Sequence, residues 1–251
     1  MDYLYERKNI IIEKLIPSDL KHALNNEERL GDLPEWEMRY FQANDFFKLG
    51  LLYLTVNDDK NARETFSKAL EYAVRFFDLD FDRMLHPPQL TLDYPHYEVE
   101  LVIYCIFFAN KVEECRKYFE NILKIPFNPP AENYQWNYYR SRGYSKLSLG
   151  NNDLTTEVKY MKLAEKRLPS KFRFALGYAN VFKGFMDEDK ELIITGLNAI
   201  LNKYHRGYKK NDEVPISRDG YIIMQLAELN GITLLKKDIP EEFLIHVRSA
   251  L

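Results

Sequence analysis

Apolar residues in this chain recur at offsets of three and four, and no segment alternates long enough to make a strand. That periodicity restricts the chain to helices. Its fullest expression is residues 172–210, where Ala175, Tyr178, Ala179, Phe182, Phe185 and Met186 form one stripe and Ile193, Leu197, Ile200, Leu201, Tyr204 and Tyr208 form another. Between the stripes stand Asp187, Glu188 and Asp189, carboxylates placed where a new helix presents unpaired amides and the positive end of its dipole. Lys203, Arg206, Lys209 and Lys210 gather at the opposite end, which the same dipole favours. The stretch reads as one helical hairpin.

The plan repeats along the chain. Polar turns near residues 58, 110, 152 and 188 separate pairs of amphipathic helices at intervals of roughly 35 to 50 residues, the range of helical repeat proteins. Ala62, Phe66, Ala69 and Leu70 resemble part of a tetratricopeptide pattern whose other positions are missing. The expected fold is all-α: stacked antiparallel helical hairpins, a degenerate tetratricopeptide-like solenoid or bundle. A single domain over residues 1–251 is expected, with any subdivision falling near 126–131, where Pro126, Pro129 and Pro130 break the pattern. Pro17 and Ser18 are expected to stop a first helix. Pro87, Pro88 and Pro95 predict that residues 78–95 form the longest irregular connection, and residues 211–217 a second loop open to a partner. Residues 97–109 are apolar nearly throughout and predict a helix at the centre of the core.

Composition narrows the function classes. A chain 46% hydrophobic and 14% aromatic can fill a core and does not read as disordered, and its net charge of -3 argues against nucleic acid as a partner for the chain as a whole. The charge is uneven, with 16 basic against 23 acidic residues in 1–130 and 19 against 15 in 131–251. The N-terminal residues lack a signal-peptide core, and no apolar run is long enough to span a bilayer, so a cytoplasmic protein without membrane contact is expected. Cys105 and Cys115 then read as buried apolar residues and not as a disulfide.

No catalytic residue, metal or cofactor is assigned. His22, His86, His96, His205 and His246 include no pair at the helical spacing of a zinc site, and His86 and His96, which share a predicted loop with Asp93, read as solvated loop residues. Asp78, Asp80 and Asp82 open like a calcium loop, but Arg83 replaces the turn glycine and Gln89 the bidentate glutamate, leaving an exposed acidic rim. With Asp93 these three are the candidate partner-binding residues. The run from Tyr134 to Tyr144 interleaves aromatic rings with Arg140 and Arg142, which could stack on single-stranded bases, but core packing along an arginine-lined groove accounts for the same residues and is the expected reading. Phosphate-binding glycine motifs and the hydrolase nucleophile motif are absent from the sequence.

The last third of the chain resembles the immunity protein 49 family, antidotes encoded beside polymorphic bacterial toxins. The resemblance rests on Val181, Phe182, Lys183, Gly184, Phe185 and Met186 ahead of the acidic turn, and on Leu197, Ile200 and Leu201 leading to Tyr204, His205, Arg206, Gly207 and Tyr208. It continues through Gln225, Leu226, Ala227, Glu228, Leu229, Asn230, Gly231 and Ile232 before Ile239 and Pro240. The resemblance covers about residues 172–251, roughly a third of the chain. The resemblance implies an all-helical protein that binds and neutralises a cognate toxin protein and catalyses nothing. Two alternatives stay open: a helical-repeat adaptor for a peptide or regulatory protein, and an enzyme whose site the sequence does not display.

Overall fold

The computed structural model describes residues 8–25, 31–86, 96–126, 135–167, 177–211 and 216–247. Among them are ten α-helices and no strand, so the chain is all-α. The helices are α1 (Ile16–Leu24), α2 (Glu35–Thr55), α3 (Asp59–Leu85), α4 (His96–Phe108), α5 (Arg116–Lys124), α6 (Gln135–Ser148), α7 (Thr155–Arg167), α8 (Tyr178–Asp187), α9 (Lys190–Asn211) and α10 (Arg218–Leu229). Short 3-10 helices at Lys236–Asp238 and Glu241–His246 follow. No described helix is long and apolar enough to cross a membrane.

The chain divides into two compact units, residues 1–83 with 97–111 and residues 84–96 with 112–251. The boundaries between them fall at 83–84, 96–97 and 111–112.

In the first unit α1 packs on α2, and α2 and α3 pack through Phe46 with Tyr72 and Phe47 with Phe66 as a hairpin whose turn is set by local chemistry. Asn57 takes a left-handed conformation (φ 69°), and Asp58 then caps α3 by accepting the Asn61 amide at 3.2 Å. The two helices approach closely at Gly50, where a Cβ would lie 2.5 Å from the Phe66 ring. Phe47, Phe66 and Phe108 pack with centroids 5.0 to 5.6 Å apart and join α4 to the hairpin. Every residue of α4 from Leu101 to Phe108 is buried, which bears out the expectation of a central helix.

Two expectations for this unit need correction. The helix does not stop at Pro17. A π-helical turn, Ile11–Leu15, leads directly into α1, and the wider i to i+5 spacing, with the Ile16 amide bonded to the Ile11 carbonyl, carries the chain into a proline at the first turn of α1. Nor does the irregular connection start at residue 78, because α3 runs on to Leu85 and ends just short of Pro87. An i,i+3 ion pair between Asp80 and Arg83 supports those last turns. The other loop is also shorter than expected, since α9 extends to Asn211 and Ser217 already caps α10.

In the second unit consecutive helices pack in order from α5 to α10, and α10 also packs on α6. That return contact makes the unit bundle-like. Left-handed residues mark the predicted turns, Gly150 after α6 and Glu188 after α8, as Asn110 does after α4 in the first unit. Asp189 caps α9 by accepting the Leu192 amide at 3.1 Å. α8 and α9 touch backbone to backbone, for a Cβ on Gly177 would lie 2.3 Å from the Gly196 carbonyl oxygen and one on Gly196 would lie 2.4 Å from that of Gly177. At Gly143, α6 makes room for the Phe182 ring of α8, which a Cβ would approach to 2.4 Å. Phe182 is completely buried, as its place in the stripe predicts.

Candidate functional site

Asp78, Asp80 and Asp82 do not form one exposed cluster. A helix turns about 100° per residue, so Asp78 and Asp82 share a face while Asp80 points away from it. Asp80 is only 3% exposed, and both its oxygens accept from Arg83, Nε to Oδ1 and Nη2 to Oδ2, each at 2.6 Å. Arg83 in turn lies over the Trp36 ring at 4.7 Å and 3.9 Å from Glu98, tying α2, α3 and α4 together within the first unit. Its guanidinium is held above its usual pKa, chiefly by the hydrogen bond to Asp80. Asp80 is a structural residue. Asp93 lies outside the described residues; His86 is exposed just past α3, and His96 is the first residue of α4.

What the solvent face of α3 offers instead is a longer line of carboxylates. Glu64, Glu71, Asp78 and Asp82 are all exposed and fall within about 40° of one another on the helix, spread over roughly 27 Å of its length. Arg75 lies beside this line but is turned to an ion pair with Glu35, and Lys68 sits over the Phe46 ring at 5.6 Å. Basic residues thus flank the stripe on α3. Two of its four members are the candidates from the sequence; Glu64 and Glu71 were missed because they are heptad-spaced from Asp78 and not adjacent to it.

A second concentration of polar groups is buried in the other unit. α6 is rich in polar residues, yet Asn137, Tyr138, Tyr139, Arg140, Ser141, Tyr144, Ser145 and Ser148 are all buried. Arg140 Nη1 donates to Asp219 Oδ2 and to the Tyr178 hydroxyl, both at 3.2 Å, and Tyr144 donates its hydroxyl to Asp219 Oδ1 at 3.0 Å. The same guanidinium lies 4.6 Å from the Trp136 ring centre. Burial, and after it the Asp219 carboxylate, pushes the Tyr178 phenol far above its ordinary range, so it stays protonated.

The opposite face of α6 carries a second network. Glu157 is fully buried between Lys146 at 2.8 Å and Arg142 at 3.5 Å, and Arg142 also donates to the Leu123 carbonyl at 2.9 Å. Tyr139 stacks on Tyr160 of α7, rings 4.2 Å apart and nearly parallel. Of the two readings of this aromatic and arginine run, the core one accounts for these contacts: the faces of Tyr138, Tyr139 and Tyr144 are buried in protein.

Other titratable groups stand apart from these networks. On α7 the half-buried Glu165 is pushed up from 4.5 to about 7 by burial, and its Oε1 is buried without a hydrogen-bond partner. Cys105 and Cys115 are buried and not disulfide-bonded, and burial holds the Cys105 thiol well above its usual pKa. His205 and His246, unrelated by any sequence spacing, are brought to 2.9 Å of each other. Among the described residues no group of three or more metal-ligating side chains converges. No protein-family model, curated protein or solved structure matches the chain.

Proposed function

We propose that this chain is an immunity protein, which binds a cognate toxin and neutralises it without chemistry of its own. The observation that carries the reading is the exposed acidic stripe of α3, Glu64, Glu71, Asp78 and Asp82. A toxin that acts on nucleic acid or another anionic substrate presents a basic surface, and a row of carboxylates on a helix imitates the sign of the charge on such a substrate. The resemblance over residues 172–251 supports the reading from the other unit. Its residues are mainly buried ones such as Phe182, Leu197 and Leu226, or turn residues such as Glu188 and Gly231, so it speaks for the scaffold and leaves the contact surface free to vary.

The test is co-expression with the toxin encoded beside this gene, together with association rates of the purified pair. The expected outcome is rescue of growth, and an association rate that falls with salt and falls further when the four stripe residues are replaced by lysine. Failure to bind or protect against any neighbouring toxin ends the proposal. Unchanged rates in the charge-reversed variant, with protection intact, place the contact elsewhere. Four large apolar side chains exposed within residues 8–24, Ile10, Ile12, Leu15 and Leu24, favour a second reading, an adaptor that docks an apolar segment. Loss of binding on Ile12→Asp with the stripe variant unaffected would favour that reading.

A further inference from the structure

Asn230 and Gly231 are the one asparagine-glycine pair in the sequence, and they stand at the C-terminal end of α10. Asparagine followed by glycine is the pair most open to spontaneous deamidation, because glycine puts no side chain in the way of its own amide nitrogen and leaves the backbone free to turn. In that reaction the Gly231 nitrogen attacks Asn230 Cγ. A bond forms between them, the Cγ–Nδ2 bond breaks, and Nδ2 leaves as ammonia with the proton that the Gly231 nitrogen gives up. The succinimide ring then takes up water, which opens either of its two C–N bonds and leaves aspartate or isoaspartate at position 230. The net change is water in and ammonia out, with no oxidant or reductant.

The fold holds both reacting groups off this path. Gly231 takes a left-handed conformation (φ 73°), and its N–H donates to the Glu228 carbonyl at 3.0 Å while the Ile232 N–H donates to that of Ala227 at 2.8 Å. These two bonds make a Schellman cap, so the attacking nitrogen is one of the cap's two donors. Asn230 sits at ψ 15°, which brings the Gly231 nitrogen close to eclipsing the backbone nitrogen of Asn230 and turns it away from the side chain. The side chain is tied as well. Nδ2 donates to the Leu226 carbonyl at 2.8 Å and, across to α6, to the Leu147 carbonyl at 3.3 Å. Both acceptors are carbonyl oxygens, so it is the nitrogen of the amide that must face them. Gly231 itself is exposed, and a helix end opens far more often than a core does.

We propose that Asn230 is a modification site gated by the last turn of α10: it is latched while the cap is closed, deamidates only from the opened turn, and cannot latch again once converted. The carboxylate that forms has no N–H to offer, so it would face the Leu226 and Leu147 carbonyl oxygens with charge of the same sign. The tie between α10 and α6 is lost, and isoaspartate also adds a methylene to the backbone within the cap. A passing opening of the helix end is thereby turned into a lasting loosening of it. The inference is independent of what the protein binds.

The test takes the full-length protein at about pH 8, folded and in denaturing urea, follows deamidation by peptide mass spectrometry, and reads hydrogen exchange at the Gly231 amide of the folded chain. The same nitrogen takes part in both events. Folding is expected to slow deamidation roughly tenfold or more, by a factor that matches the protection of that amide within about threefold. Asn230→Asp, which installs one product, should lower protection of the Gly231 and Ile232 amides by about tenfold while α8 amides are unaffected. Asn230→Gln, too long to close a five-membered ring, should stay unmodified over the same period. Deamidation as fast in the folded chain as in urea, or slowed far less than the amide is protected, overturns the gate. Equal protection of the cap amides in Asn230→Asp overturns the loss of the latch. A mass gain that persists in Asn230→Gln puts the reaction at another residue and overturns the site.

Discussion

The two units each bury a helix along nearly its whole length, and they do so by opposite means. In the first unit α4 is apolar on every side from Leu101 to Phe108, where it offers the core only Leu, Val, Ile, Tyr, Cys and Phe. In the second, α6 is buried to a similar extent while carrying Asn137, Arg140, Ser141, Ser145 and Ser148 inward. α4 is stabilised by removing apolar area from water, a term that needs only a dry surrounding of the right shape. α6 gains stability only if each buried polar atom meets a particular partner, and an ion pair such as Arg140 with Asp219 is close to neutral overall because desolvation offsets its attraction. Its benefit is register: Arg140, Tyr144 and Tyr178 meet Asp219 in only one arrangement of α6, α8 and α10.

Substitutions can break this contrast. The largest effect is expected for Phe107→Ala in α4, where a completely buried ring leaves a cavity, with a loss of about 3 to 5 kcal/mol in denaturant unfolding. Asp219→Ala should cost about 3 kcal/mol, because it leaves the buried Arg140 without its carboxylate. The double change Arg140→Met with Asp219→Leu should recover most of that loss. If the double variant is as unstable as the single one, the network contributes net stability and the contrast with α4 fails.

A smaller effect sharpens the rule that buried polar atoms need partners. Glu165 on α7 lacks one at Oε1, and its folded pKa is raised from 4.5 to about 7. The folded chain therefore keeps a proton that the unfolded chain releases, and stability falls as the pH rises through that window. Glu165→Gln should stabilise the protein by about 1 kcal/mol near pH 8, after allowance for solvent screening of a half-exposed group, and change little near pH 4. Chemical denaturation at both pH values measures it. The smallest effect is expected at the α8–α9 turn, where Glu188 is left-handed (φ 54°) and Glu188→Gly should raise stability by about 0.5 to 1 kcal/mol.

The same contrast explains what the sequence revealed. α4 was legible because an apolar run is a local property, and the turns were legible because Asn57, Asn110 and Gly150 tolerate the left-handed conformation that ends a helix. Core packing of α6 was one of the readings of its aromatic and arginine run, but its partners were not legible, since Arg140 finds Tyr178 and Asp219 at sequence separations of 38 and 79, beyond any periodicity. Asp80 was misplaced for a related reason: prolines further on suggested a loop, whereas its pairing with Arg83 belongs to a continuing helix. Half of the exposed acidic stripe escaped notice because exposure is decided by which face of α3 meets the core. Adjacent aspartates drew attention, and heptad-spaced glutamates did not.

The backbone contact between Gly177 and Gly196 bears on the order in which the chain folds. Two glycines separated by α8, its turn and the first turns of α9 close only a short loop, so their meeting costs little chain entropy compared with the distant pairing of Arg140 and Asp219. The α8–α9 hairpin can thus form while the rest of the second unit is still open, and α6 and α10 can dock on a surface already built. A methyl group at Gly196 should accordingly slow refolding in stopped-flow measurements more than it speeds unfolding.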